Sequence, residues 1–389
     1  MIAQDRGQLT AFLQGRLTGE YATGAAGKPS GGDAIPVKTY LLESHPPADP
    51  DADGHVSCEQ TLHELLSEAL LRSRCPSRAH PSADRGLFTI EGSYRRRSPV
   101  HLYVDFLDAR FWLIHTLARS ETADWIIGRL TRVGTGLARI ALPGQLLETA
   151  ASLGSVRGLI TVHDRRMFGH DGTDPGGTDF MSMQLWGRRS RQVMSLLQAD
   201  DSLNECLSVS RVHVQYWPDE ENREAYCIED IHCDGRLEAR GTSIAAHLHL
   251  VDTLRDRVRR NVERIESHYR VSSEGEQGSL SGRSATFRLS RPVGDAAALC
   301  DAILSTAPPF RYWGVAMTSS SAYSRMRVLD LSVGGLLDFE ITSDFIRVFL
   351  PAGSSASTVV RLYATLQRHL DSRVRLIGKD MQDVFELQA

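Results

Sequence analysis

The chain has 389 residues, of which 41% are hydrophobic and 24% are charged, and its formal net charge is −4. These values are typical of a water-soluble globular protein with two or three domains. They exclude a basic field over the whole molecule that would draw it to nucleic acid or to an anionic membrane. No apolar run approaches the roughly eighteen residues that span a bilayer, so we predict no membrane segment.

The basic residues are almost all arginine, because only Lys28, Lys38 and Lys379 among the 44 are lysines. This bias is typical of a bacterial genome of high GC content. A P-loop needs a lysine after a glycine-rich run, and no such sequence is present. The N-terminus lacks the apolar core of a signal peptide, and the six cysteines form no C-x-x-C pair. We therefore expect a cytoplasmic location with reduced thiols.

The first 270 residues predict a mixed α/β layer. Residues 1–35 are rich in small and polar side chains, so we expect a weakly ordered segment. Within 36–270, strands such as "GLFTIEG" and "VRGLITV" alternate with helices such as "SETADWIIGRL", which indicates a partly parallel sheet. Residues 179–198 are predicted as a further helix. A split into two subdomains is expected, if at all, near 165–180.

A long amphipathic helix is predicted at 243–269, because apolar residues recur there every three or four positions. It is either a core helix or a seam for oligomerisation or for a protein partner. Residues 271–282 are polar and predict a linker. Residues 283–378 predict an antiparallel α+β sandwich with the order β-α-β-β-β-β-α-β, followed by a tail at 379–389. The predicted fold class is therefore multidomain α/β and α+β.

The segment after "VRGLITV" carries the densest set of possible ligands. His163, Asp164, His170 and Asp171 are candidate ligands of a divalent metal, because imidazole and carboxylate groups together suit Zn, Mn or Fe. The segment follows a predicted strand, and α/β sheets bind ligands beyond the carboxyl ends of their strands. The same composition is typical of a long turn, since Asp caps turns and Gly supplies positive φ angles. Both interpretations stay open.

A second polar cluster, "CIEDIHCDG", is predicted to lie on a β-hairpin. Glu229 and Asp230 would point to opposite faces of the strand. If this hairpin meets the segment at 163–179, then Asp164, Glu229 and Asp230 are the candidate catalytic residues, with His163 nearby as a metal ligand. Charged residues beside a turn are equally typical of an ordinary hairpin.

Two arginine clusters suggest contact with nucleic acid or another partner: Arg96 and Arg97, and Arg188, Arg189 and Arg191. Residues 283–375 are also mildly basic, with eleven Arg against seven Asp or Glu. Aromatic residues of "FRYWG" would be able to stack on bases if they lie on a sheet face. Exposed arginines and buried aromatics are the ordinary alternative.

These patterns lead to three hypotheses. The leading one is a non-enzymatic protein that binds a macromolecular partner as a component of a larger complex, because the common catalytic motifs are absent. The second is a metal-dependent hydrolase, a phosphoesterase or nuclease, with its site near 163–179 and 229–234. The third is a nucleic-acid-binding protein that uses its C-terminal domain.

Overall fold

The computed structural model describes residues 1–22, 36–45, 77–93, 99–108, 110–131, 136–168, 180–219, 221–274, 279–306, 308–378 and 384. This part of the chain is α+β, with eight α-helices and strands that pair mainly antiparallel. The predicted α+β multidomain fold class is therefore confirmed. The expectation of a partly parallel N-terminal sheet is wrong for the strand pairs of known register, which run antiparallel there.

The chain forms two compact units, and each is built from two separate segments. Unit 1 comprises Met1–Ile140 and Val214–Asp256, and unit 2 comprises Ala141–His213 and Arg257–Ala389. The boundaries between the units fall within strand β9 (Val209–Tyr216) and within helix α6 (Ile244–Tyr269). This division differs from the predicted domains at 36–270 and 283–378, because both predictions assumed that a domain is one continuous stretch.

Unit 1 is a sheet with helices on both faces. Its strands follow the order β2-β3-β4-β5-β1-β11-β10, with β6 beside β1. Its elements are α1 (Arg6–Ala22), β1 (Val37–Ser44), β2 (Ser77–Pro81), β3 (Leu87–Ser93), β4 (Pro99–Asp105), β5 (Phe111–Thr116), α2 (Ser120–Leu130), β6 (Leu137–Arg139), β10 (Cys227–His232) and β11 (Arg236–Gly241).

Helix α1 corrects the expectation of a weakly ordered N-terminus for the part that the structure describes. Leu9, Leu13 and Leu17 recur every four residues, which places them on one side of a helix. All three are buried, and they pack in one cluster with Val37 and Tyr103 of the sheet. The small and polar residues that suggested disorder lie beyond this stripe.

Unit 2 contains a strand pair, β7 with β8, and a second sheet in the order β13-β12-β18-β17-β16-β15, with β14 on β18 and β19 on β14. Its elements are α3 (Gly144–Ser152), β7 (Ser155–Asp164), a 3-10 turn (Arg166–Phe168), β8 (Phe180–Trp186), α4 (Ser190–Gln198), α5 (Asp201–Asn204), β12 (Arg270–Glu274), β13 (Ser279–Ser281), β14 (Ala285–Arg288), α7 (Ala296–Ile303), β15 (Tyr312–Ser319), β16 (Tyr323–Asp330), β17 (Leu336–Thr342), β18 (Phe345–Pro351), α8 (Ser357–His369) and β19 (Arg375–Ile377).

Two predicted elements of unit 2 are wrong. The helix predicted at 179–198 begins only at Ser190, because residues 180–186 alternate with a period of two and form strand β8. The linker predicted at 271–282 contains strands β12 and β13, which pair antiparallel, while β12 also pairs parallel to β18. Backbone hydrogen bonds hold this polar segment, so it needs no apolar pattern to be a strand.

The long helix α6 confirms the predicted element at 243–269. Five of its apolar positions are each less than 3% exposed: Val251, Leu254, Val258, Val262 and Ile265. The core-helix interpretation therefore fits, and this apolar stripe is not a surface that a partner can reach.

Candidate nucleic-acid interface

The larger sheet of unit 2 presents two chemically different faces. In β16, Met326 and Val328 are buried while Arg325 and Arg327 are exposed, because successive side chains point to opposite faces. Helix α7 packs on the buried side, where Cys300 Sγ lies 3.6 Å from Met326 Sδ. We call the other side the open face. It carries Thr286, Arg288, Trp313, Val315, Arg325, Arg327, Leu329, Leu336, Asp338, Glu340, Phe345, Arg347 and Phe349.

A groove of about 1010 Å³ is lined by residues of β12, β14, β18 and β19 and of the C-terminal end of α6. Four guanidinium groups line it, those of Arg270, Arg283, Arg288 and Arg347. We call it the arginine groove. Its only carboxylates among the described residues are Glu266 and Asp344, so the lining carries an excess of positive charge.

The arginines differ in how far their charge is already neutralised. Arg270 Nη2 lies 3.2 Å from Glu266 Oε2, and Arg347 Nη1 lies 3.6 Å from Glu340 Oε2 on β17. Arg283 and Arg288 are exposed and make no ion pair with any residue that the structure describes. These two guanidinium groups can therefore bind an anion without breaking an existing salt bridge.

Arg288 also faces a like charge across the sheet. It is paired directly with Arg375 in the β14–β19 register, and both side chains are exposed. Like charges directly opposite each other on neighbouring strands destabilise a sheet. A pair of this kind is a poor structural choice, but a bound phosphate between the two guanidinium groups would convert the repulsion into attraction.

An aromatic ring lies among these charges. Phe345 is the direct partner of Arg288 in the β14–β18 register, and the Arg347 guanidinium lies 4.3 Å from the centre of the Phe345 ring. Hydroxyl groups line the same groove, with Ser272 and Ser281 oxygens 2.8 Å apart. Guanidinium, hydroxyl and ring faces are the groups that contact phosphate, sugar and base.

Gly282 shapes the groove where β13 ends. Its φ angle is +102°, a conformation that side chains with a Cβ rarely adopt. A Cβ at this position would collide with the Arg270 carbonyl of β12. The close approach of the two chain segments therefore depends on glycine, and it sets the position of the neighbouring Arg283.

The predicted metal ligands are only partly described. His163 and Asp164 end strand β7, whereas His170 and Asp171 lie outside the described residues. His163 is buried, and burial lowers its pKa to about 4. No group of three His, Cys, Asp or Glu side chains that could hold a metal ion is found among the residues that the structure describes.

Asp164 is already engaged by neighbouring groups. Arg166 donates to both carboxylate oxygens, at 2.8 and 2.7 Å, and this pairing lowers the Asp164 pKa to about 2. His369 Nδ1 donates to the Asp164 carbonyl at 2.8 Å. The Arg166 guanidinium also lies over the ring of Phe180, 4.7 Å from its centre. These contacts stabilise the turn after β7 and leave the carboxylate less available to a metal.

Glu229 and Asp230 point to opposite faces of β10, as predicted, and they lie in unit 1 whereas Asp164 lies in unit 2. Glu229 is fully buried and belongs to a hydrogen-bonded chain that the sequence does not reveal. His247 Nδ1 donates to Glu229 Oε1 at 2.5 Å, and the Thr39 hydroxyl lies 2.7 Å from His247 Nε2. The same hydroxyl lies 2.8 Å from His115 Nδ1.

This chain of four side chains is closed to solvent, since each residue is at most 3% exposed. The Thr39 hydroxyl bridges the two imidazole rings, because a hydroxyl group can both donate and accept a hydrogen bond. Burial, with His247 as a second cause, lowers the His115 pKa to about 4. The arrangement resembles an acid–base relay, but its burial makes it a structural network in unit 1.

The predicted arginine clusters have different outcomes. Arg96 and Arg97 lie outside the described residues. Arg188 and Arg189 are exposed in the turn between β8 and α4, and Arg191 is exposed in the first turn of α4. This placement agrees with a contact role but also with an ordinary surface. Within "FRYWG", Phe310 and Tyr312 are buried, and only Trp313 lies on the open face.

Two comparisons with known proteins cover most of the chain. A family model described as MJECL33-like protein matches residues 2–385. The chain belongs to the MJECL33-like protein family. A curated protein of the archaeon Methanocaldococcus jannaschii, named "Uncharacterized protein MJECL33", is 23% identical over 316 residues, which cover 71% of this chain and 76% of the relative. Neither name states an activity or a ligand.

Sequence reasoning missed the strongest features of this MJECL33-like chain. Arg283, Arg288, Arg347 and Phe345 were not singled out, although "FIRVFLP" alternates apolar and other residues and places Arg347 opposite the buried Ile346 and Val348. The signal that could have found Arg347 was this alternation, because it assigns Arg347 to the face opposite the buried residues. What it does not give is the pairing of β14 between β18 and β19, which brings the arginines together.

Proposed function

We propose that this MJECL33-like protein is a non-enzymatic protein that binds single-stranded nucleic acid through the open face and arginine groove of unit 2. The observation that carries the proposal is the juxtaposition of Arg283, Arg288 and Arg375, whose exposed side chains make no ion pair among the described residues, with the ring of Phe345. Phosphates bind guanidinium groups bidentately, and bases stack on aromatic rings without a strict sequence requirement.

The charge distribution explains how a protein of net charge −4 would bind a polyanion. Arg288, Arg347 and Arg375 lie on three adjacent strands, with Glu340 as the carboxylate next to Arg347. Phosphate binding depends on such local fields and not on the net charge of the chain.

The shape of the site favours a single strand over a duplex. The open face is a broad sheet surface with the Trp313 ring 60% exposed and with half-buried rings at Phe345 and Phe349. Bases reach such rings only when they are unstacked, as in loops and single strands. We extend the proposal to a cytoplasmic location, which the thiols of Cys206, Cys227 and Cys300 support, because they form no disulfide among the described residues.

The test is a binding titration of a fluorescein-labelled 20-mer of oligo(dT) or oligo(U), followed by anisotropy. We expect the R288Q/R375Q double variant to weaken binding by about tenfold or more, because it removes two charge-assisted phosphate contacts. The matched control is R78Q/R85Q, which removes two exposed charges from unit 1. The control should bind like the wild-type protein.

A second variant separates stacking from charge. Phe345→Leu keeps an apolar side chain in β18 but removes the aromatic face. Stacking contributes roughly 1–3 kcal/mol per base, so we expect weaker binding with an unchanged number of salt-dependent contacts. Equal affinity of R288Q/R375Q and R78Q/R85Q, with both proteins folded by circular dichroism, would contradict the proposal.

A further inference from the structure

Strand β15 ends the larger sheet of unit 2. It pairs antiparallel with β16 on one side, and no described strand pairs with its other side. The backbone N–H and C=O groups on that outer side are therefore available to a further strand. This edge lies across the sheet from the arginine groove, which is formed by β12, β14 and β18.

The side chains of β15 are unusually apolar for such an edge. Trp313, Val315 and Met317 are 60%, 61% and 56% exposed. Leu336 on β17 is 57% exposed, and the register Trp313–Leu329–Leu336 joins it to Trp313 in one row across three strands. An exposed apolar row on a sheet edge is typical of an association surface.

The strand lacks the two commonest protections against pairing with another strand. The sequence "YWGVAMTS" contains no charged residue and no proline. The register with β16 shifts between Ala316 and Thr318, so the regular part of the edge is Tyr312–Ala316. A partner strand is therefore expected to pair with these five residues.

We infer that β15 pairs antiparallel with β15 of a second copy of this chain, about a two-fold axis at Gly314. This axis places Trp313 of each copy opposite Val315 of the other copy. Aromatic and β-branched residues form favourable cross-strand pairs. Gly314, which has no side chain, meets its own equivalent on the axis. The five-residue edge is thus complementary to itself, which is the requirement for a two-fold symmetric interface.

The charges near the edge also permit a second copy. On the open face beside the regular part of the edge lies Arg327, which is the direct partner of Val315 on β16. In the pair, the two β16 strands are separated by three strand spacings, or about 14 Å. This exceeds the roughly 8 Å over which salt screens charges at physiological ionic strength. Asp338 also neutralises Arg327 through two contacts, at 3.0 and 3.2 Å.

The pairing joins the two larger sheets into one continuous sheet with an open face on each copy. The apolar row of Trp313, Leu329 and Leu336 then meets its equivalent across the axis, on an open face that continues from one copy to the other. The inference does not rest on nucleic-acid binding, because the groove residues take no part in the pairing.

The test is the mass of the full chain in solution, measured by sedimentation equilibrium from 1 to 100 µM without nucleic acid. We expect a concentration-dependent dimer of about 86 kDa, twice the 43.0 kDa of the chain. Val315→Lys should give a monomer over the same range, because it places a charge on each side of the axis. The matched control is Leu196→Lys, since Leu196 is 74% exposed on α4; it should still dimerise.

Two results would overturn the inference. A wild-type chain that stays at 43.0 kDa up to 100 µM does not pair through β15 at all. A Val315→Lys variant that dimerises as well as Leu196→Lys dimerises through another surface. Since Val315 is 61% exposed, the variant is expected to fold, and circular dichroism checks this.

Discussion

The buried chain Glu229–His247–Thr39–His115 predicts a specific loss of stability for Thr39→Val. The Thr39 hydroxyl lies 2.8 Å from His115 Nδ1 and 2.7 Å from His247 Nε2, and it links the two rings by hydrogen bonds. Valine has nearly the same shape, so the substitution removes both hydrogen bonds while it leaves the strand and the packing in place. Two ring nitrogens then remain buried without a partner.

The magnitude follows from these contacts. A buried polar atom that loses its partner costs roughly 1–3 kcal/mol, so the two nitrogens together cost about 2–6 kcal/mol. The added apolar methyl group offsets about 1 kcal/mol of this. Thr39→Ser keeps the hydroxyl and loses only a buried methyl group, which costs about 1 kcal/mol. We therefore expect Thr39→Val to be less stable than Thr39→Ser by roughly 2 kcal/mol.

The assay is urea unfolding of both variants, combined with hydrogen exchange of peptides from β1, β5 and β10. Exchange localises the loss to unit 1, which matters because a chain with two compact units need not unfold in one step. If Thr39→Val is as stable as Thr39→Ser and its amides exchange no faster, then the hydrogen-bonded chain does not stabilise the unit and our reasoning fails.

Three further predictions concern stability. Burial lowers the pKa values of His115 and His163 to about 4, so the unfolded chain binds protons more readily than the folded chain. The free energy of unfolding should therefore be highest above pH 6.5 and fall as the pH drops from 6.5 to 4, by up to about 3 kcal/mol per histidine. A urea midpoint that stays constant over this pH range would contradict the prediction. Asp330 is fully buried beside Arg361 and accepts a hydrogen bond from Thr358 Oγ1 at 2.5 Å. Asp330→Asn should therefore destabilise unit 2 by about 3–5 kcal/mol. Thermal unfolding measures this loss, with Asp338→Asn as the control variant. Gly282→Ala should lower both stability and oligonucleotide affinity, because the new Cβ collides with the β12 backbone, whereas Gly353→Ala, where no atom lies within reach of a new Cβ, should change affinity little.

The sequence predicted the elements whose side chains alternate or recur regularly. The order of elements after residue 283 and the long helix at 243–269 followed from such patterns, and both agree with the structure. The strand β8 was predicted as a helix because Met181 and Leu185, four residues apart, fit the helical period when they are read together with the real helix that follows. The apolar pattern could not predict the hairpin at 270–281, because backbone hydrogen bonds pair its two strands.

The candidate site depended on information that no local pattern contains. The meeting of Arg288 with Arg375 and Phe345 follows from the placement of β14 between two strands that lie about 60 and 90 residues further along the chain. The same holds for Thr39, which joins two histidines from distant elements. The sequence did indicate where acidic and imidazole groups cluster, but burial and pairing decide what they do. Glu229 therefore belongs to the buried hydrogen-bonded chain of unit 1, and Asp164 belongs to the turn after β7.

If phosphates bind to the arginine groove and to Arg375 on the adjoining strand β19, the salt dependence of oligonucleotide binding measures this directly. Four arginines, at 283, 288, 347 and 375, each neutralise about one phosphate in our account, and each contact with a single strand contributes about −0.7 to the slope of log K against log salt concentration. We predict a slope near −3 for the wild-type chain between 50 and 300 mM KCl, and a slope about 1.4 units shallower for R288Q/R375Q. Binding that is absent at 50 mM KCl, or a slope that the double variant leaves unchanged, would contradict the account.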